Sequence, residues 1–130
     1  MIRPTFGLAV VGALALTGCY DSRPEDTPRN TVPAARITGA AVSCIPLSRI
    51  DTTRVRDDRT IDFLSSSRKG WRNTLPYGCP GLRSNDGFSY ETSLSQLCSS
   101  DVIHVIEQAD GPHRGAACGL GQFVPIELAR

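Results

Sequence analysis

The side chains best suited to chemistry are gathered near the C-terminal end, where Asp101, His104, Glu107, Asp110 and His113 follow one another closely. Two histidines and a carboxylate are enough to hold zinc. The apolar pattern of Val102, Ile103, Val105 and Ile106 reads as a strand, however. On a strand His104 faces with Val102 and Ile106, while Asp101 and Glu107 face with Ile103 and Val105. These ligands diverge, and His113 stands in a solvated Gly-Pro turn, so no metal site is expected. Cys44, Cys79, Cys98 and Cys118 lack the paired Cys-x-x-Cys spacing that closes a zinc site and read instead as disulfide partners. Asp57 and Asp58 are adjacent, which on a strand turns them to opposite faces and favours a turn over a catalytic carboxylate pair. The serine clusters Ser65-Ser66-Ser67 and Ser99-Ser100 sit in turns without a Gly-x-Ser-x-Gly elbow. Gly119-Leu120-Gly121 has no helix after it to make a phosphate loop. No catalytic residue and no cofactor is expected.

Two other sets could make a binding surface. Trp71, Phe88 and Tyr90 are able to line a shallow ligand face, although in so small a domain aromatic residues are needed first for the core. Arg54, Arg56, Arg59 and Arg72 could converge into a basic stripe. Asp51, Asp57, Asp58 and Asp62 interleave with them, and cross-strand ion pairs are the expected outcome. Lys and Arg total 14 against 13 Asp and Glu. A balance this even gives no reason to expect nucleic acid as a partner.

The N-terminus is read differently. Arg3, an apolar run from Phe6 to Leu16 and small residues after it make a secretory signal over residues 1–18. The run is shorter than the about 20 apolar residues that cross a bilayer. Leu16-Thr17-Gly18-Cys19 resembles the lipobox of bacterial lipoproteins. That resemblance implies that Cys19 becomes the first mature residue, carrying a thioether-linked diacylglyceryl group and an acyl chain on its amino group. The membrane is then a partner through the lipid on Cys19, and several chains on one residue satisfy the need for more than one membrane signal. Using Cys19 for lipid leaves an even set of four cysteines for an oxidising compartment. In the sorting logic of enterobacterial lipoproteins, Asp directly after the lipidated cysteine favours inner-membrane retention. Tyr20 in that place points to the periplasmic face of the outer membrane.

Residues 19–40 read as the lipidated cysteine and a disordered tether, since Tyr20 to about Thr38 offers scarcely an apolar side chain. Residues 41–127 read as one small all-β domain. Alternation predicts a strand from about Arg59 to Ser65, an Asp57-Asp58 turn before it, and a strand holding Trp71, Asn73 and Leu75 after a turn at 66–70. Phe88, Tyr90 and Thr92 make a short strand, and Thr92 or Ser93 is placed to cap one helical turn holding Leu94 and Leu97. Asp101 to Glu107 is the best strand in the chain. A last one is expected over about Gly119 to Ile126, with Pro125 marking a sheet edge or a strand end; as an edge it could accept a partner strand. The sum is a small antiparallel barrel or sandwich of about five to seven short strands, stabilised by disulfides. Four cysteines allow three pairings. Cys44 with Cys118 and Cys79 with Cys98 is preferred, because the first joins the segments before the first and last strands and the second closes the crossover.

Several blocks of the domain are similar to one uncharacterised family of short exported proteobacterial proteins and lipoproteins, grouped as a domain of unknown function. They include Cys44-Ile45-Pro46-Leu47, Asp57 to Phe63, Trp71 to Leu75, Cys79-Pro80-Gly81-Leu82, Phe88-Ser89-Tyr90, Leu97-Cys98, Asp101-Val102-Ile103 and Cys118 to Phe123. The resemblance covers nearly all of Cys44 to Ile126 and implies no activity. The expected function is that of a lipid-anchored, non-catalytic envelope protein that binds or scaffolds an envelope protein partner. Two alternatives stand beside it. One is an inhibitor of a hydrolase such as lysozyme, acting through an exposed rigid loop at Arg83–Gly87. The other is a small ligand-binding protein or enzyme with a cavity holding His104 or Tyr90 beside an acid.

Overall fold

Short apolar-polar alternations give ten short strands in the computed structural model, which describes residues 32–130 apart from Ser93, together with the isolated Gly7 and Gly12. The signal segment, Cys19 and the first part of the tether lie outside the described residues. The strands are β1 (Ala35–Ile37), β2 (Cys44–Pro46), β3 (Thr52–Val55), β4 (Thr60–Leu64), β5 (Lys69–Thr74), β6 (Phe88–Tyr90), β7 (Gln96–Cys98), β8 (Val102–Glu107), β9 (His113–Gly119) and β10 (Phe123–Leu128). A 3-10 turn at Leu47–Arg49 and one helical turn, α1 (Leu82–Asn85), complete them.

Every pairing is antiparallel. A five-stranded sheet runs β1-β10-β5-β4-β3, a three-stranded sheet runs β6-β8-β9, and β2 and β7 form a ribbon. The architecture is all-β and sandwich-like, and no barrel closes among the described residues. The expected meander is present as β3, β4 and β5, with Asp57 and Asp58 in its first turn.

Phe63 joins the sheets. From β4 it meets Phe123 of its own sheet at 5.6 Å between ring centroids and Phe88 of the other sheet at 6.2 Å, both edge-on. Ile61, Leu75, Leu97, Ile103 and Val105 fill the space around it. Edge-on contacts suit the ring quadrupoles and add to the area buried. The opposite face of β4 is buried as well, because Asp62 is wholly excluded from water. Arg56 Nε donates to its Oδ2 at 2.8 Å, and Arg72 Nε donates to Oδ1 at 2.7 Å. Arg72 also donates to the Pro33 carbonyl, just ahead of β1, at 3.0 Å.

Two glycines are fixed by close approach. A Cβ on Gly70 would stand 2.1 Å from the Phe63 carbonyl oxygen, and one on Gly121 would stand 2.3 Å from that of Thr74. Asn73, buried in the core, accepts from the Gly121 N–H at 2.8 Å and donates to its carbonyl at 2.7 Å. Its side-chain amide thus supplies the backbone partners that the 120–122 link would otherwise lack.

Four expectations are corrected. The tether does not extend to residue 40: Ala35–Ile37 is a strand of the large sheet, opposite Leu128, Glu127 and Ile126. Gln96–Cys98 is a strand rather than part of a helical turn, since the Thr92 hydroxyl takes the Leu94 N–H and reaches the Gln96 carbonyl, turning the chain straight into β7. Gly119 to Ile126 is not one edge strand. Gly119 ends β9, and β10 is interior, between β1 and β5. Pro125 is tolerated there because its carbonyl accepts from Thr38, so its nitrogen faces the same flank, where β1 has already ended.

The disulfides are Cys44–Cys98 and Cys79–Cys118, not the preferred pairing. The β2–β7 ribbon sets Cys44 directly opposite Cys98, and β9 turns Cys118 inward beside the buried Cys79. The links span 54 and 39 residues. Closing loops of that size in the unfolded chain is worth about 4 kcal/mol apiece by chain entropy.

Unreduced peptide mapping is expected to recover Cys44 joined to Cys98 and Cys79 joined to Cys118, with no Cys44–Cys118 peptide. Asp62→Asn should lower stability by about 3 kcal/mol in denaturant unfolding, because it leaves two partly buried guanidinium groups without their carboxylate. A loss below about 1 kcal/mol would show that the arginines find water easily.

Candidate functional site

A surface hollow of about 550 Å³ lies where β1, β10 and β5 run side by side. Pairing sets Phe63, Trp71 and Pro125 in one row and Lys69 opposite Glu127 in the next, with Arg36 of β1 opposite Glu127 in turn. The buried half of that face is core, and the remainder opens to water. There the 3-10 turn brings the Arg49 guanidinium over the Trp71 ring, 5.5 Å from its centroid. A cation on an indole face gains about 0.5–1 kcal/mol at an exposed site. Trp71 is half-buried, so one part of the ring braces the core while the rest forms the cleft wall.

The cleft is cationic. Arg36 donates to Glu127 at 2.9 Å, and Arg68 lies 3.5 Å from the same carboxylate. Among the described residues Arg49 and Lys69 have no carboxylate partner. Arg36 and Arg68 therefore stand at Glu127 while Arg49 and Lys69 line the same cleft, with Asp51 in the adjoining hollow.

A second hollow, about 380 Å³, separates the edge strand β3 from the start of β6. Arg54, Arg56 and Arg83 line it, with Asp86 beside them. At this end of the molecule Tyr77 is 98% exposed, on a turn fixed from several sides. Gly78, at φ 71°, donates to the Leu75 carbonyl. The Arg59 guanidinium donates to the Pro76 carbonyl at 2.9 Å. Cys79 N–H donates to the Asp58 carbonyl at 2.6 Å and its sulfur is tied to Cys118. The Asp58 carboxylate takes the Arg83 N–H at 2.8 Å, so the start of α1 and the Tyr77 turn share one support.

The residues singled out from sequence are dispersed. Asp57 accepts from the Arg59 backbone and Asp58 from that of Arg83, both turn-building roles. Arg56 and Arg72 converge on Asp62, Arg59 serves carbonyl groups, and Arg54 remains exposed. Phe88 and Tyr90 pack against the core. His104 lies on the outer face of β8 opposite Ser89 and Ala117, with its Nδ1 buried and unpartnered beside a β-bulge. Neither His104 nor Tyr90 lines the hollows at Trp71, at Arg54, at Asp51 or at Val124. No three His, Cys, Asp or Glu side chains converge among the described residues to hold a metal ion.

Arg49 and Lys69 were missed by sequence reasoning: Lys69 shares a face of β5 with Trp71 but reads as part of the turn before it, and Arg49 reaches the ring only through the fold of the 3-10 turn. A cue was present in the absence of any acidic residue from 63 to 85, which leaves that stretch cationic. Comparison with protein-family models, with curated proteins and with solved structures gives no match for this chain.

Both ring nitrogens of His113 face acceptors, Nδ1 the Gly111 carbonyl at 3.0 Å and Nε2 the Glu107 carboxylate at 2.9 Å, and the charged ring donates to both. First the Gly111 carbonyl and then Glu107 raise its pKa above the ordinary imidazole value. A raised pKa favours the fold while the ring is charged, fully so below the unfolded value of about 6.5, and the effect is lost as pH rises through the folded value. NMR titration should place His113 above an unstructured histidine, and Glu107→Gln should bring it part of the way back. An unshifted His113 would mean that these contacts do not persist in solution.

Proposed function

We propose that this protein is a lipid-anchored component of the cell envelope that acts by binding a protein partner and not by catalysis. The Leu16-Thr17-Gly18-Cys19 quartet supports the anchor, and the pairing of all four other cysteines supports an oxidising compartment. The observation that carries the binding reading is Tyr77. A wholly exposed aromatic ring ordinarily stands on a mobile loop, yet this one stands on a turn held by hydrogen bonds, an arginine and a disulfide. Tyrosine is enriched among residues that dominate interfaces. A ring already held in place loses little freedom on binding, so more of its burial appears as affinity.

The inhibitor reading draws on the same end of the molecule. Arg83–Gly87 is a helical turn followed by Asp86 in the left-handed region, pinned to Asp58 together with the Tyr77 turn. A rigid convex end of this kind fits the mouth of a hydrolase active site. Inhibition assays against a panel of lysozymes decide between the two readings.

Mass spectrometry of the native, unreduced protein from membranes should find a mature chain that starts at Cys19 and carries acyl mass. Crosslinking in envelopes should recover a partner whose yield falls at least about tenfold with Tyr77→Ala. The substitution removes no packed atoms and should leave the unfolding midpoint unchanged. Equal recovery with Tyr77→Ala would rule out this turn as the docking point.

A further inference from the structure

We propose that the cleft at Trp71 is a binding site for phosphate groups, and that the groups it takes are the anionic headgroups of the membrane from which the chain hangs. The first part rests on the site itself. Arg36, Arg49 and Lys69 line the cleft with a single carboxylate, Glu127, which Arg36 and Arg68 engage, and Asp51 lies in the adjoining hollow. Arg49 and Lys69 are exposed and without a carboxylate partner among the described residues. Guanidinium groups suit phosphate oxygens, because their N–H groups form a fixed fork with matching spacing. Trp71 supplies an amphipathic ring of the kind enriched at membrane interfaces.

The source of the phosphate follows from the place of the cleft in the chain, and this step rests on the anchored reading above. Arg36, Ile37 and Thr38 belong to or adjoin β1, the first strand among the described residues. Fifteen residues lie between Cys19 and β1, and even fully extended that stretch reaches no more than about 55 Å. The cleft is therefore carried on the part of the domain where the lipid linkage enters. The Tyr77 turn lies elsewhere, at the end where β5 runs into Leu75 and away from Lys69. Cations held against an anionic leaflet add about fivefold to binding for each Lys or Arg near the surface, and the effect falls off within a Debye length. Such a contact would orient the domain, with the cleft on the headgroups and Tyr77 turned away from them.

The chain has one tryptophan, so its fluorescence reports on this cleft alone. The test uses the full-length mature chain with Cys19→Ser, which cannot be acylated and so separates the cleft from the anchor. Vesicles of phosphatidylglycerol and phosphatidylethanolamine are expected to shift Trp71 emission to the blue and to carry the protein down on sedimentation. Vesicles of phosphatidylcholine alone should do neither. Arg49→Gln with Lys69→Gln should weaken vesicle binding about thirtyfold, while Arg83→Gln in the other hollow should leave it unchanged. Both cleft residues are exposed, and intact disulfides with an unchanged unfolding midpoint verify that the variant is folded.

Three results would overturn the proposal. One is Trp71 emission that anionic vesicles leave unaltered. Another is a whole response reproduced by inorganic phosphate at the same phosphate concentration, which would make this a site for free anions. The third is weaker binding by Arg83→Gln than by the cleft variant, which would place the contact elsewhere. If Cys19 proves unmodified in native protein while the vesicle response stands, the anchored reading fails and the headgroup chemistry of the cleft survives.

Discussion

A carboxylate with no access to water has to be neutralised where it stands, and Asp62 sets this condition for much of the molecule. Two arginines from the neighbouring hairpin turn and from β5 meet it, and neither is free to point elsewhere. Arg72 goes further and holds the Pro33 carbonyl, which positions the entry to β1. The same strand that carries Asp62 outward carries Phe63 inward to the other sheet. Charge pairing on one face of β4 and aromatic packing on the other therefore fix a single register, because a slip by one residue would exchange the carboxylate and the ring.

The core on the inward side is small, and it is supplemented covalently at two separate places. Cys44–Cys98 closes the β2–β7 ribbon, which has only three residue pairs of its own. Cys79–Cys118 ties the link after β5 to the end of β9 and so fastens the two large sheets to one another. Asn73 performs a similar service without a covalent bond, since its amide stands in for a strand partner at Gly121. These supports explain how a chain with so many short strands holds turns such as that of Tyr77 in one conformation.

The meander and β8 were legible in the sequence because their side chains alternate and their burial follows that alternation: Ile61 with Phe63, and Ile103 with Val105. β1 was not legible. Its side chains are largely exposed, and it is ordered by backbone hydrogen bonds to β10, which leave no apolar signature. β7 was hidden by the spacing of Leu94 and Leu97, which mimics a helical turn although Leu94 stays in water. β9 was hidden by Gly115, Ala116 and Ala117 and by the bulge opposite Val105, which breaks simple alternation. Pro125 read as an edge because sequence cannot tell which flank its nitrogen faces. For the cleft, Trp71 was noticed as an aromatic, whereas its cationic surroundings depend on contacts between β1, β5, β10 and the 3-10 turn, which no local pattern encodes.

The pairing of β1 with β10 has a mechanical side. Ala35 lies opposite Leu128 and Ile37 opposite Ile126, so the rungs nearest the entry to the domain are also the first that a pull along the preceding segment would reach. Such a pull opens the pair like a zipper, one rung at a time, whereas a pull along the strand axis from the far end would shear all of them together. The Arg72 contact to Pro33 and the Ala129 contact to Ala34 are the first fastenings in that line. Under a pull on the preceding segment the domain would thus yield first at β1, releasing a few residues while the disulfide-tied remainder keeps its shape.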